Sequence, residues 1–154
     1  MIIDFVENND IAGVKNQLAK GVSQWVDKFG YSALHIALSK GFDDVSMELL
    51  NGGIDTNLQD SKGQTALHYC AFFNKVEIAK NILAHGGRLD IEDKFGNQPL
   101  WTAIINDKGF GSRIELVEIF ISAGANPSHR NNTGGSPLKI VEDLEYDKVF
   151  ALMK

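Results

Sequence analysis

The sequence has little of what secreted, membrane-spanning or nucleic-acid-binding proteins need. A single cysteine, Cys70, excludes an internal disulfide among the 154 residues and is compatible with a reducing compartment. No apolar stretch approaches the roughly 18 residues of a membrane span, and acids lie near the N-terminus, where a signal peptide needs a basic start. The net charge of −5, with no basic stripe, argues against nucleic acid and anionic membranes as partners. We expect a cytoplasmic protein that binds neither.

Catalytic and metal-binding motifs are also scarce. No pair of His, Cys or Asp residues has a metal-site spacing such as His-x-x-x-His. The glycines at 109–111 and 134–135 lack the Gly-Lys-Ser/Thr that follows in a phosphate loop, which leaves them as flexible turns. We therefore expect no catalytic residue, no metal and no cofactor.

What the sequence does contain is one phrase in several copies. The segments 27–35, 60–68 and 93–101 read DKFGYSALH, DSKGQTALH and DKFGNQPLW, at intervals of 33 residues. A fourth opening, at 134–138, begins a last copy. A period of this length indicates one small unit built several times and stacked, because no single unit can bury its own apolar face.

Each copy carries the start and stop signals of two helices. Thr65 precedes its helix as an N-cap, and Pro99 occupies a first helical position, where the missing N–H costs nothing. Gly86 follows a second helix and fits a left-handed C-terminal cap. The other copies have equivalent signals at Ser32, Pro137, Gly53 and Gly124. Apolar residues at helical spacing between these signals predict the faces that form the core of the stack.

The phrase and its period resemble the ankyrin repeat, whose signature is a Thr-Pro-Leu-His turn that opens a helix pair. The resemblance covers essentially the whole chain and implies an all-α fold, an ankyrin-repeat solenoid of stacked helix-turn-helix units joined by short β-turn fingers. We predict a single domain over 1–154. Its five repeats are predicted at about 1–26, 27–59, 60–92, 93–130 and 131–154. The first lacks the turn, and the fourth has five extra residues between its helices, within 106–113.

Two histidines and the cysteine have structural interpretations in this scheme. His35 and His68 would suit a metal, but they hold equivalent positions in successive repeats. The resemblance implies that each bonds to its own turn and to the neighbouring one. Cys70 takes the small-residue position of Ala37 and Ala103, so we expect it to be a buried packing residue and not a nucleophile.

Recognition is the remaining way for such a stack to function, through a long concave face. Positions that differ between the copies are not dictated by the fold, and many are aromatic, the residue class that carries much of the energy of protein interfaces. The predicted partner-binding residues are Phe29, Tyr31, Lys62, Phe72, Phe73, Phe95, Trp101 and Phe110. Phe29 and Phe95 have an alternative role, which is to cover the neighbouring finger. Phe72 and Phe73 are expected to face outward at the middle of the concave face.

The acidic net charge suits a partner with a basic surface. Five acids on the fingers would steer such a partner, which is an effect on association rate more than on affinity. They are Asp55, Asp60, Asp90, Glu92 and Asp93. Solubility alone explains them equally well. We expect the protein to be a monomer when free.

A narrower resemblance concerns biological role. The Pro-Leu-Trp at 99–101, the glycine-containing insertion at 106–113, the Ala-Asn-Pro at 125–127 and the segment 131–138 are similar to a group of short bacterial ankyrin proteins. That group is associated with polymorphic toxins as immunity proteins, which implies binding to a toxin domain and blocking of its active site. Two alternatives stay open: a scaffold or host-directed adaptor that links protein partners, and a small enzyme or ligand binder in a divergent repeat.

Overall fold

The computed structural model describes residues 1–22, 25–108 and 110–154. Ten helices in five successive pairs occupy these ranges. They are α1 (Ile2–Glu7), α2 (Ile11–Lys20), α3 (Ala33–Lys40), α4 (Asp43–Asn51), α5 (Ala66–Phe73), α6 (Val76–Ala84), α7 (Pro99–Asp107), α8 (Ile114–Ser122), α9 (Pro137–Asp143) and α10 (Asp147–Leu152). Ser23, Gln24 and Gly109, which fall in the predicted first and fourth repeats, lie outside the described residues.

The pairs stack side by side into two layers of helices. The first helices form one layer, in which α1 packs on α3, α3 on α5, α5 on α7 and α7 on α9. The second helices form the other layer, which runs from α2 through α4, α6 and α8 to α10. This is the stacked arrangement predicted from the repeats.

The core lies between the layers and is made of the faces predicted from helical spacing. Leu67 and Leu100 on the first helices, and Leu49, Ile82 and Phe120 on the second, are almost completely buried. Full burial of such a side chain stabilises the fold by roughly 1.5–3 kcal/mol relative to exposure. A single pair would leave this face in water, so the stack is the stable unit.

The start and stop signals act as the sequence predicts. Ser32 Oγ accepts a hydrogen bond from the backbone N–H of His35 at 3.2 Å, and Pro99 lies in the first turn of α7. After α6, Gly86 has a φ of +87°, in the left-handed region that glycine enters without strain. Helix α5 ends differently, because Asn74 takes the left-handed position with a φ of +57°. Asparagine tolerates this conformation better than most residues with a side chain.

The fingers are turns stabilised by one side chain each. Asp60 Oδ1 accepts a hydrogen bond from the backbone N–H of Lys62 at 2.8 Å. Equivalent bonds are made by Asp27, Asp93 and Asn131. Neighbouring fingers also bond to each other, since the N–H of Lys94 donates to the carbonyl oxygen of Lys62 at 3.0 Å. Among the described residues the β-type pairing is limited to one bridge, Val26 to Ser32, so the prediction of turns without a separate sheet is confirmed.

Gly63 shows why the repeated phrase needs its glycine. Its φ is +77°, and a Cβ at this position would lie 3.1 Å from the Cα of Asp93 on the next finger. A side chain here would therefore meet both an unfavourable backbone conformation and a crowded contact with backbone atoms.

Four of the five extra residues of the fourth pair lie between its helices, where the sequence predicts all five. Six residues connect α7 to α8, whereas two connect α3 to α4 and two connect α5 to α6. The remaining extra residue lengthens α7 to 9 residues, against 8 in α5. We call residues 108–113 the insertion.

Candidate functional site

We call the surface formed by the fingers and the first helix of each pair the concave face, after the extended binding surface of repeat proteins. Phe72 and Phe73 lie there at the C-terminal end of α5, with 54% and 39% of their surface exposed. Their rings meet edge to face with centroids 4.9 Å apart. Phe73 also lies 6.2 Å, centroid to centroid, from the ring of Tyr69. Adjacent exposed phenylalanines on a regular helix are typical of a surface that a partner covers.

A pocket of about 320 Å³ opens beside this pair. It is lined by Ser39, Lys62, Gln64, His68, Tyr69, Phe72 and Phe73. The structure therefore brings together three of the predicted residues, Lys62, Phe72 and Phe73. We call this site the Phe72 pocket.

The sequence of α5 explains why its last residues face outward. Leu67, Cys70 and Ala71 form its buried side, and the two phenylalanines that follow lie outside this stripe. Burial raises the pKa of the Cys70 thiol, so the thiolate that a nucleophile requires is disfavoured. The predicted packing role of Cys70 is confirmed.

Tyr69 lines the Phe72 pocket and was not among the predicted residues. Its hydroxyl donates a hydrogen bond to Asp60 Oδ2 at 2.9 Å. Burial and this hydrogen bond to a carboxylate raise the pKa of the Tyr69 phenol, so the hydroxyl remains a donor. Tyr69 holds the position of Ile36 and Thr102 in the neighbouring repeats. That variation between copies is the signal that could have identified it.

His35 and His68 connect each turn to the next, as the resemblance implied. His35 Nε2 lies 3.0 Å from the carbonyl oxygen of Gln64, and His68 Nε2 lies 2.9 Å from that of Asn97. Since a carbonyl oxygen only accepts, Nε2 carries the proton and Nδ1 accepts from the backbone N–H of Ser32 or of the N-cap residue of α5. Burial lowers the pKa of both imidazoles, which keeps them neutral near pH 7. Their structural role is confirmed.

Three further predicted residues lie on the fingers outside the Phe72 pocket. Tyr31 lies in an adjoining groove of about 370 Å³ that shares Ser39 and Tyr69 with the pocket. Phe29 and Phe95 lie at the tips of their fingers, 64% and 68% exposed. More than half of the surface of each phenylalanine is therefore open to a partner.

Trp101 and Phe110 do not line the Phe72 pocket. Trp101 is half-buried, and a Cβ built on Gly135 would come within 2.8 Å of its Cη2 atom, so the indole packs on the last finger. Phe110 is 86% exposed. It lines a different groove of about 370 Å³, together with Tyr146 and Lys148 of the last pair.

Several acids on the fingers are already engaged by other groups. Asp60 is almost buried and holds its own turn together. Asp90 pairs with Arg88 at 2.9 Å, and the hydrogen bond from the guanidinium lowers the pKa of the Asp90 carboxyl. Glu92 Oε1 lies 3.2 Å from Nε2 of His129. These acids are therefore less available to steer a basic partner than the sequence suggested.

Sequence comparisons identify the fold family. A model of ankyrin repeats, in three copies, matches residues 2–93, which is more than half of the chain. The chain belongs to the ankyrin-repeat family. The predicted all-α ankyrin solenoid is confirmed by this match together with the two layers of stacked helices.

Similar proteins differ widely in their names. "Intracellular phospholipase A2" of Caenorhabditis elegans is 29% identical over 134 residues, covering 83% of this chain and 12% of its own length. "Protein fem-1 homolog A-like" of Mus musculus is 32% identical over 108 residues, 70% of this chain and 15% of its own. "Inhibitor of Bruton tyrosine kinase" of Xenopus laevis is 42% identical over 76 residues, 48% of this chain and 6% of its own. The chain thus spans less than a fifth of each of these relatives.

Ankyrin repeats are modules for protein–protein interaction and are generally not enzymes. Over the described ranges, no group of three His, Cys, Asp or Glu residues is placed to hold a metal ion. In the same ranges no helix is long and apolar enough to cross a membrane.

The insertion is the main departure from a regular ankyrin repeat, and a buried carboxylate organises it. Asp107, 1% exposed, accepts hydrogen bonds from the backbone N–H of Gly111 at 2.9 Å and of Arg113 at 2.6 Å. The hydroxyl of Tyr146, in the last repeat, donates to the same carboxylate at 3.1 Å. Burial and this bond raise the pKa of the Tyr146 phenol.

The insertion also reaches back to the Phe72 pocket. The guanidinium of Arg113 donates to the carbonyl oxygen of Phe72, and the Asn74 amide donates to the carbonyl oxygen of Ser112 at 3.1 Å. Asp107 and Arg113 were not among the predicted site residues. Their contacts join residues about forty positions apart, and the repeat period does not reveal such pairs.

Proposed function

We propose that this chain is a non-enzymatic protein-binding module whose partner docks on the concave face at the Phe72 pocket. The observation that carries the proposal is the exposed pair Phe72 and Phe73 beside a pocket of about 320 Å³. Burial of two phenylalanines by a partner supplies the kind of central aromatic anchor on which protein interfaces depend. The histidines and the cysteine nearby are engaged in folding, as described above, which supports binding over catalysis.

The other predicted residues extend this surface in our proposal. Lys62 and Tyr31 contact a partner beside the anchor, and Phe29 and Phe95 contact it at the fingertips. Trp101 and Phe110 take part only if the partner reaches the last two repeats, because they lie away from the pocket. One relative is by its name an inhibitor of a protein kinase, which is compatible with a function that consists of binding.

The more specific form of the proposal is toxin immunity: the chain binds a cognate bacterial toxin domain and neutralises it. Its support is the sequence resemblance at 99–101, 106–113, 125–127 and 131–138. The alternative is an adaptor that links two protein partners. In either form we propose a single domain over 1–154, monomeric when free and cytoplasmic.

The test begins with affinity capture from the native organism, using three baits compared by quantitative mass spectrometry. The baits are the wild-type chain, the double variant Phe72→Ser with Phe73→Lys, and a control carrying Glu48→Ser and Lys80→Ser on the second helices. We expect a protein that the wild type and the control retain and that the Phe72/Phe73 variant loses. Equal retention by all three baits contradicts docking at the Phe72 pocket.

The captured protein then separates the two specific roles. A toxin domain should stop bacterial growth when expressed alone, and co-expression of this chain should restore growth. An adaptor should instead hold two different proteins at once, detected as a ternary complex by light scattering. A captured protein with no effect on growth excludes the immunity role for that partner.

A further inference from the structure

The Phe72 pocket is lined by an exposed lysine although the protein as a whole is acidic. The net charge of the chain is −5, yet the lining of the pocket contains one charged side chain, Lys62. His68 also lines it, but burial lowers the pKa of its imidazole and keeps the ring neutral near pH 7. Among the residues that the structure describes, the lining contains no carboxylate.

The ammonium group of Lys62 is exposed and has no ion pair among residues 1–22, 25–108 and 110–154. The acid of its own finger, Asp60, is almost buried. Its oxygens accept hydrogen bonds from two backbone N–H groups and from the Tyr69 hydroxyl. Lys62 is therefore available to a partner, whereas both carboxylate oxygens of Asp60 already accept hydrogen bonds.

Lys62 replaces an aromatic residue at its place in the repeat. The equivalent tips of the two neighbouring fingers carry Phe29 and Phe95, both exposed. Lys28 and Lys94 precede these rings and are likewise without an ion pair in the described part of the chain. A partner that crosses the fingertips thus meets aromatic rings and cations in alternation.

The pocket is large enough to hold one side chain of a partner. Its volume of about 320 Å³ is at the lower end of the roughly 300–1,000 Å³ range of small-molecule sites. The rings of Tyr69, Phe72 and Phe73 offer apolar surface, and Lys62 favours a neighbouring negative charge. A partner that brought a Lys or Arg to this point would meet like-charge repulsion.

We propose that the Phe72 pocket takes an apolar side chain from a partner protein segment that carries a carboxylate next to it, and that Lys62 selects the acid. The inference rests on the proposed binding function and names the chemistry of the partner at the point of contact. It differs from the basic partner surface expected from the net charge, because the acids that would attract such a surface lie outside this pocket.

Single-stranded nucleic acid is the other ligand that combines negative charge with flat rings. The adjoining groove contains Glu7 and Asp27, which would repel a phosphate backbone. A protein segment places one carboxylate at Lys62 without continuing the negative charge into that groove. The observations therefore favour an acidic protein segment.

The test uses synthetic peptides of defined sequence and the purified chain. Four twelve-residue Gly/Ser peptides carry a central Phe-Glu, Phe-Gln, Phe-Lys or Ala-Glu pair. A twelve-nucleotide single strand of DNA is the competing ligand. The affinity of each ligand for the chain is measured by fluorescence anisotropy. We expect Phe-Glu to bind about tenfold more tightly than Phe-Lys, which corresponds to about 1.4 kcal/mol and is close to the lower end of the couplings measured between close charge pairs. Ala-Glu should bind weakly, because it lacks the apolar anchor.

Variants assign the preference to the lysine. Lys62→Glu should reverse the order of Phe-Glu and Phe-Lys, and Lys62→Met should remove the charge preference while Phe peptides remain favoured over Ala-Glu. Lys148→Glu, which makes the same change in charge on the last repeat, should leave the order unchanged. Circular dichroism of each variant checks that the fold is retained.

Three results would overturn the inference. They are absence of binding by any Phe peptide, a charge preference that Lys62→Glu does not alter, and tighter binding of the DNA strand than of Phe-Glu. The proposed docking site fails separately, when the natural partner binds the Phe72/Phe73 variant as well as the wild type. A different result separates the two proposals. If the natural partner requires the phenylalanines but binds the Lys62→Glu variant as well as the wild type, the docking site stands and the selection of an acid by Lys62 is excluded.

Discussion

The guanidinium of Arg113 donates a hydrogen bond to the backbone carbonyl oxygen of Phe72 at 2.8 Å. The two residues belong to successive repeats and are 41 positions apart in the chain. The bond ties the insertion to the end of the helix that presents the exposed phenylalanines. The buried Asp107 holds the insertion at its other side, through the backbone N–H groups of Gly111 and Arg113. The insertion is therefore a structured support for the Phe72 pocket in addition to being a surface loop.

Shortening the insertion should weaken the fold moderately without unfolding it. Loop closure entropy changes slowly with length, by about 0.6 kcal/mol per doubling, so deletion of residues 108–112 gains or loses little on that account. The deletion also removes partners of the buried Asp107 carboxylate, which costs about 1–3 kcal/mol. We expect a cooperative transition in urea with a free energy of unfolding lowered by this amount, and a weaker complex with the natural partner.

The single substitution Arg113→Ala removes the contact with Phe72 without shortening the insertion. Its control is Arg88→Ala, which removes an exposed ion pair. Loss of partner affinity in the first variant only would assign a positioning role to the insertion. An unchanged dissociation constant in the shortened chain would instead make the insertion a tolerated addition to the surface.

Gly63 and Gly53 form a matched pair for measuring the contact between fingers. Both have a positive φ, +77° and +82°, but a Cβ at Gly63 would crowd the backbone of Asp93, whereas a Cβ at Gly53 would meet open space. Gly53→Ala should cost about 1–2 kcal/mol, the penalty of the left-handed conformation. Gly63→Ala should cost clearly more, measured as the free energy of unfolding in urea. Equal losses would show that the fingers separate easily.

Acid should destabilise the stack through His35 and His68. Burial lowers the pKa of both below the usual 6.5, so the unfolded chain binds protons that the folded chain does not. The stability due to these groups is complete above about pH 6.5 and falls as pH drops towards the folded pKa, by at most about 1.4 kcal/mol per pH unit for each histidine. The midpoint of thermal unfolding should therefore fall between about pH 7 and about pH 5.

His68→Gln should make this pH dependence shallower, and His68→Ala should also lower stability at pH 7 by about 1–3 kcal/mol through the lost buried hydrogen bonds. Partner binding by the folded fraction should persist in both. Unchanged stability combined with lost binding would mean that His68 contacts the partner directly.

The exposed pair Phe72 and Phe73 should matter for binding much more than for folding. Changing them to Ser and Lys should weaken the natural complex by at least about 2 kcal/mol, the usual threshold of a hot spot. The midpoint of thermal unfolding should move little, because both side chains are substantially exposed. The measurements are isothermal titration calorimetry and thermal melting.

Glu48→Ser with Lys80→Ser is the control, since these side chains lie on the second helices and form ion pairs with Lys15 and Glu77. Such surface pairs contribute only about 0–1 kcal/mol. An unfolded Phe72/Phe73 variant, or a greater loss of affinity in the control, would exclude the concave face as the docking surface.

Much of this molecule could be predicted from sequence because its determinants are local and recur. The phrase with Gly63 at its turn, the N-cap Ser32 and the helical spacing of apolar residues each act within one repeat. Stacking then places equivalent residues beside each other, and the resemblance to the ankyrin repeat implied that His68, at its periodic position, bonds to the neighbouring finger. The packing role of Cys70 was predicted from its periodic position, because the equivalent positions of the neighbouring repeats hold alanine.

Tertiary structure alone decided which of the variable residues share a surface. Trp101 packs on the last finger, Phe110 lies in a separate groove, and Tyr69 joins Phe72 in the pocket. Their distribution depends on which residues of other repeats lie next to each side chain, and the repeat period carries no information about that.

The sequence by itself determined the helix pairs and their stacking, because backbone caps and short-range packing are specified within each period. The resemblance to the ankyrin repeat implied the roles of His35 and His68. Only the three-dimensional structure decided the environment of Lys62 and the contact between Arg113 and Phe72. The first depends on where the carboxylates of other fingers point, and the second on an insertion that breaks the period. The exposure of a charged side chain, and the contacts made by residues that fall outside the repeat period, are properties of the assembled stack. The sequence of a single repeat therefore does not determine them.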